Sequence, residues 1–210
     1  MRCIVCDHET QSFYHPQTNV LFHECLHCKA IFKDKMHWPT PDDEMNRYKE
    51  HNNSINESGY VKFLNGFIEY GVTPYLKEGS ILDFGSGPEA VLASLLKDRG
   101  FDVLYYDPFF EPHLPEEIVF DMITATEVFE HIQDPVKQLK WIDHHLRKEG
   151  YFSMMTLLYP EDRNLFYNWF YLRDITHIIF YHSKTYEHMA QVLNWKVIKD
   201  DGYRIAVFQK

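Results

Sequence analysis

The stretch "ILDFGSGPEA", Ile81 to Ala90, constrains the fold of this chain more than any other. A short apolar run ends there in two closely spaced glycines. Such a run reads as a buried strand followed by a turn whose bare backbone lets a ligand approach. Gly85, Gly87 and Ala90 fit the G-x-G-x-x-G/A pattern that links a strand to a helix in dinucleotide-binding units. A strand, a glycine turn and a helix in that order predict an α/β fold with ligands at the carboxyl ends of its strands.

The downstream pattern alternates strand and helix. "SILDFG" reads as a strand and "EAVLASLLKDRG" as a helix stopped by Gly100. "FDVLYYD" and "FDMITAT" read as further strands. "DPVKQLKWIDHHLRKEG" reads as a helix capped by Asp134, with Pro135 in its first turn and Gly150 at its end. "YFSMMTLL" is a strand and "SKTYEHMAQVLN" a helix capped by Ser183. "WKVIKDD" and "YRIAVFQK" close the chain as an antiparallel hairpin. Only thirteen residues separate Asp107 from Asp121, a gap too short for a full helix and strand, so the segments above supply six strands. Upstream, Asp42 and Asp43 mark a helix start. Tyr60, Phe63, Leu64, Phe67 and Ile68 recur at helical spacing toward Gly71, a stripe expected to pack on the next domain.

Two ligands suit such a turn. Asp107 closes the second strand twenty residues after Gly87, where an acid can accept from ribose hydroxyls of NAD or of S-adenosylmethionine. Asp83 separates them. A buried carboxylate beside a pyrophosphate costs about 4 kcal/mol per charge pair at ~4 Å and an effective dielectric near 20. S-adenosylmethionine carries no phosphate. Its ammonium and sulfonium are cationic, and its carboxylate can use the N–H groups at a helix start.

In sequence, "ILDFGSGP", "YYDPFF" and "FDMITATEVFEHIQDP" resemble the class I S-adenosylmethionine-dependent methyltransferases, in their small-molecule branch. The resemblance covers Tyr60 to Lys210. It implies that Asp83, Gly85, Ser86 and Gly87 hold the methionine part and Asp107 the ribose. Pro108 and Phe109 would flank the adenine, and Thr126 and Glu127 would lie near the methyl group. Two departures stand out: Glu89 replaces a small residue common in relatives, and the shortened segment after Asp107 removes the usual adenine-contacting acid.

All four cysteines lie within the first 28 residues, as Cys3-x-x-Cys6 and Cys25-x-x-Cys28. Two such knuckles offer four thiolates to one structural zinc, and the metal would supply the folding free energy of so small a module. His8, His23 and His27 lie close by but are not required. The expected organisation is a zinc-ribbon-like module over 1–38, linking helices over 39–74 and a Rossmann-like, mainly parallel sheet with the C-terminal hairpin over 75–210. Reduced cysteines and the absence of a long apolar leader in "MRCIVCDHET" point to the cytoplasm.

The segment 159–186 holds eight Tyr or Phe residues plus Trp169 and reads as a lid over the acceptor. Arg163 or Arg173 could meet an anionic group there. By resemblance, a D-x-T-H run precedes the next helix, and "DITH" makes His177 the first candidate base, with Glu127 beside it. Glu130 and His131 read as residues that fix a turn, and His144 and His145 as solvent-facing. The formal charge of −10 argues against nucleic acid, and residues 1–28 carry only Arg2 as a fixed cation. A small-molecule acceptor is therefore expected. The alternatives are an RNA methyltransferase gripping its substrate with the zinc module, and a binding protein that has lost the chemistry. No run is long enough to span a membrane, and nothing in the sequence sets an oligomeric state.

Overall fold

The first sheet begins with a hairpin of β1 (Thr10–Tyr14) and β2 (Leu21–Cys25), joined antiparallel to β3 (Ile31–Lys33). This computed structural model describes residues 1–50, 54–114 and 117–210. Residues 51–53 of the expected linking segment and 115–116 of the shortened segment lie outside the described residues.

Helix α1 (Pro41–Glu50) follows, its first turn closed by Thr40 and Asp43, whose Oδ2 accepts from the Thr40 hydroxyl at 2.7 Å. Helix α2 (Ser58–Phe67) ends in a wider turn through Val72. Leu64, Phe67 and Ile68 of its stripe are buried on the sheet. Tyr60 and Phe63 instead face a cleft.

The main sheet contains β4 (Ser80–Phe84), β5 (Asp102–Tyr106), β6 (Phe120–Thr126), β7 (Leu146–Met155), β9 (Lys196–Asp200) and β10 (Ile205–Gln209). Their order is β5-β4-β6-β7-β10-β9, parallel across the first four and antiparallel at β10 and β9. β6 lies directly beside β4, and β5 stands at the edge of the sheet, where the missing third strand would have been added. Helices α3 (Val91–Lys97), α4 (Pro135–His145), α5 (Arg163–Tyr167) and α6 (Ser183–Leu193) complete the fold.

Three local expectations change. α4 ends at His145, not at Gly150: residues 146–150 already belong to β7, where the register shifts and Glu149 adopts φ +63°. α6 is capped by His182, not Ser183, because Nδ1 of His182 accepts from Lys184 N at 3.0 Å while Thr185 Oγ1 accepts from His182 N. His145 is buried, stacked on Trp141 with ring centroids 4.0 Å apart.

The short strand β8 (Ile179–Phe180) pairs with β3, so the N-terminal sheet takes its fourth strand from the C-terminal half. Phe22 and Ile31 share a buried cluster with Phe166, Tyr171 and Phe180. Six further buried residues of the module, Cys3, Val5, Cys25, Cys28, Ala30 and Phe32, join the core of the main sheet.

Candidate functional site

A cavity of about 750 Å3 opens at the carboxyl ends of β4, β5 and β6. That size suits a drug-sized ligand. Its first wall is the turn after β4. Gly85 N and Ser86 N donate to Tyr106 O at 2.8 and 3.2 Å, which ties the turn to the end of β5. Gly85 adopts φ +76°, and a Cβ there would stand 2.4 Å from Val128 Cγ2. Gly87 adopts φ +66°, and among the described residues nothing lies within 4 Å of a would-be Cβ. One glycine is thus required by the protein's own packing, while the other leaves open space above the turn. Ala90, at φ +43°, starts α3 in the left-handed region that disfavours a side chain.

Two acids flank this turn. Asp107 Oδ2 accepts from Gly87 N at 2.9 Å, and its Oδ1 accepts from Phe109 N and Phe110 N at 2.9 and 3.2 Å. Asp83 is buried, with Thr124 Oγ1 3.4 Å from its Oδ1 and, among the described residues, no partner for its Oδ2. Burial is the main reason its carboxyl is pushed up to about 7; the charge of Asp107 adds to the rise, and the Ala93 N–H and Thr124 oppose it. Tyr60 is pushed up to about 12, by burial first and then by Asp83 and Glu127. Pro108, Phe109, Ser86 and Thr126 all line the cavity, as do Phe84, Tyr106 and Trp141. The last three form a ring stack at centroid distances of 5.4 to 5.6 Å that sequence reasoning missed, since nothing in a helix sequence marks Trp141 as facing a ligand.

The opposite wall comes from the end of β6 and the segment 170–177. Glu127 stands at φ +53°, and its Oε2 accepts from the Tyr171 hydroxyl at 3.0 Å. The same hydroxyl contacts Glu130 Oε1 and lies 3.2 Å from Thr156 Oγ1. Burial raises the carboxyl of Glu127 and, together with the Glu127 charge, holds that of Glu130 well above its usual range. Tyr171 was not singled out from the sequence; it is one ring among many in an aromatic run. His177 is buried, its Nδ1 2.9 Å from Tyr171 O and its ring 4.8 Å from that of His131.

The lid differs from expectation. Only Phe170 and Tyr171 of its rings reach the cavity. Tyr159, Phe166, Trp169 and Phe180 pack against one another and the N-terminal module, because that module supplies the apolar surface the segment needs. Arg163 stacks 3.8 Å over Phe13 and pairs with Glu24 of the module, so it does not serve the cleft; Arg173 does line it. The D-I-T-H turn is held at Asp174, whose Oδ1 accepts from Thr176 N and Oγ1 and whose Oδ2 accepts from Arg47 Nε at 2.8 Å. Arg47, on α1, was also missed.

The four cysteine sulfurs lie within 4.8 Å of one another, with Cys3–Cys28 at 3.6 Å and Cys6–Cys25 at 3.3 Å. Tetrahedral zinc with Zn–S near 2.3 Å needs sulfurs about 3.8 Å apart. Val5 N and Cys28 N donate to the Cys3 and Cys25 sulfurs, as N–H groups around metal-bound thiolates do. No disulfide links them. The cluster fits a closed, structural metal site.

A doubly tethered glycine turn, an acid closing β5 and a cleft across the strand ends define the fold of class I S-adenosylmethionine-dependent methyltransferases. A sequence model of the methyltransferase domain matches residues 48–200, and the chain belongs to that family. Its fold is similar to that of an O-methyltransferase family protein from Burkholderia thailandensis, at TM-score 0.57 and 11% identity over 84% of this chain and 65% of that one. It is similar to the mitomycin 7-O-methyltransferase MmcR, at TM-score 0.54 and 12% identity over 79% and 60%. It is also similar to PigF bound to SAH, at TM-score 0.51 and 16% identity over 81% and 60%. The chain thus spans less than two thirds of the length of each of these structures. Comparison with curated protein sequences gives no match. Among the described residues, no helix is long and apolar enough to cross a membrane.

Proposed function

We propose that the protein transfers a methyl group from S-adenosylmethionine to a small-molecule acceptor held in the same cleft. The observation that carries this reading is a single cavity joining the Gly85–Gly87 turn and its acids to the wall of Glu127, Tyr171 and His177. Asp83, Gly85, Ser86 and Gly87 would hold the methionine part. The unpartnered Asp83 Oδ2 suits an ammonium, and the open space at Gly87 suits a close approach. Asp107 would take the ribose: a carboxylate has about four lone-pair directions, and main-chain N–H groups use only three here. Pro108, Phe109 and Thr126 would border the adenine and the cofactor edge.

When bound, the cofactor supplies an electrophilic methyl carbon. The chain's own residues position the acceptor and manage its proton. A carbonyl oxygen can only accept, so His177 Nδ1 carries a hydrogen toward Tyr171 O and the neutral ring's lone pair sits on Nε2. That nitrogen is the candidate base. Glu127 Oε1, buried and without a partner among the described residues, is the second proton site. The acceptor would be held by this wall facing the cofactor's methyl group, and its proton would pass to His177 Nε2 or to Glu127 Oε1.

The formal charge of −10 and the lone Arg2, paired with Asp7, favour a small molecule over nucleic acid. A structural zinc held by Cys3, Cys6, Cys25 and Cys28, in a reducing cytoplasm, completes the reading. Calorimetry with S-adenosylmethionine, S-adenosylhomocysteine and NAD tests it, with Asp107→Ala as control. Binding of both sulfur nucleotides but not NAD, lost in the variant, is expected. No binding of any of them would leave only a methyltransferase-like binding protein.

A further inference from the structure

We infer that Glu130, His131 and His177 form a binding site for a divalent transition-metal cation at the acceptor end of the cleft. This site is separate from the four cysteines. One ligand atom from each residue lies within 4.8 Å of the other two.

Both imidazoles are held as metal ligands are held. His131 Nδ1 lies 3.1 Å from Thr176 O, and His177 Nδ1 lies 2.9 Å from Tyr171 O. Each carbonyl requires a hydrogen on Nδ1, so each neutral ring keeps its lone pair on Nε2. Donation of the second ring N–H to a carbonyl is what fixes tautomer and orientation in metal-ligating histidines. Both rings also line the cavity.

Glu130 adds the independent sign. It is fully buried, and among the described residues its Oε2 has no hydrogen-bond partner. A buried carboxylate oxygen without a partner is costly unless a cation meets it. The backbone there is fixed: Ile178 N donates to Glu130 O at 2.8 Å, which clamps the turn carrying Glu130 and His131 to the chain beyond His177.

Two imidazoles and one carboxylate suit Mn2+, Fe2+, Co2+ or Zn2+ more than Mg2+ or Ca2+. Three protein ligands leave coordination positions open, unlike four thiolates. An acceptor hydroxyl bound there would lose its proton more readily. Its O–H bond breaks, its oxygen stays on the cation, and the proton passes to Glu127 Oε1. With the cation present, His177 is a ligand and the bound cation takes over the activation assigned above to its ring. This role rests on the methyl-transfer reading; the binding of the cation does not. The acceptor class it selects is a hydroxyl compound.

The test uses the full chain purified with zinc and titrated with Mn2+, which thiolates disfavour. Electron paramagnetic resonance reads free Mn2+, and spin-echo modulation reads directly bound nitrogen. One Mn2+ per chain with imidazole nitrogen modulation is expected, weakened at least about tenfold in Glu130→Gln and in His177→Gln. Glutamine copies the shape of neutral Glu130, so that variant should fold; S-adenosylhomocysteine binding on the same samples checks it. No Mn2+ uptake by the unaltered protein at millimolar concentration, or uptake without nitrogen modulation, overturns the site. So does uptake that both variants retain. Loss of S-adenosylhomocysteine binding in the unaltered protein would instead count against the methyl-transfer reading and leave the cation result standing.

Discussion

Lys33 Nζ, on the last strand of the N-terminal module, donates to the main-chain oxygens of Asp174 and Ile175 at 3.3 and 3.1 Å. Those two residues begin the D-I-T-H turn that ends in His177. The lysine is buried, and burial pulls it down to about 8 against the opposing pull of Asp174. The module is therefore wired into one wall of the cleft.

Removing that wire should loosen the acceptor wall and spare the cofactor turn. Lys33→Met leaves two carbonyls short of a donor, a loss of about 1–3 kcal/mol. Chemical denaturation should show that drop. Calorimetry should show S-adenosylhomocysteine binding within about twofold of the unaltered protein, because the turn at Gly85–Gly87 touches neither residue. A large loss of cofactor affinity would mean that Lys33 holds the whole fold.

Asp83 makes both stability and cofactor binding depend on pH. Its folded value of about 7 lies above the ordinary aspartate value of 3.8. The folded state therefore binds more protons between those values, and stability falls as pH rises from about 4 to about 7. Thermal midpoints without ligand should decline across that window, and Asp83→Asn should flatten the decline. Binding has the opposite slope: the ionised acid is the better partner of a cationic ligand, so affinity for S-adenosylmethionine should rise up to about pH 7. A pH-independent affinity would place the ammonium elsewhere.

The two glycines should fail in different ways. Gly85→Ala puts a methyl 2.4 Å from Val128 Cγ2, and should destabilise the fold by about 1–3 kcal/mol beyond the strain of its positive φ. Gly87→Ala meets no atom of the described residues and should cost only about 1 kcal/mol of stability. Its affinity for S-adenosylhomocysteine should nevertheless fall at least about tenfold, a loss of ~1.4 kcal/mol. Unchanged affinity in Gly87→Ala would move the ligand away from the turn.

Metal removal should reach further than the module. Atomic emission should find zinc bound by the four cysteines, and Cys25→Ser should abolish it. Because β3 pairs with β8, zinc loss should lower the thermal midpoint of the whole chain and speed proteolysis within 159–182. If cleavage stays confined to residues 1–38, the shared sheet contributes little.

Much of the architecture was legible in the residues. Local sequence decides where a strand meets a glycine turn, and the thirteen-residue gap after Asp107 left no room for the usual third strand. Both features depend on neighbours within one turn or one strand. The errors were also local in origin. Gly150 reads as a helix stop, but the strand register of β7 claims residues 146–150. His182 took the cap from Ser183 because its ring reaches Lys184 N.

The sequence by itself determined the strand order's raw material, the positive-φ turn, the acids that flank it and the four thiols that can hold a metal. Each is set by bonding and sterics over short stretches. Only the tertiary structure decided which side chains meet. It brought Tyr171 between Glu127 and Glu130, across about forty residues of chain, and Lys33 to Asp174 across 141. It also turned most of the aromatic segment toward the N-terminal module instead of the cleft. Burial and pairing at that distance depend on which surfaces the whole chain leaves uncovered, and no local pattern records that.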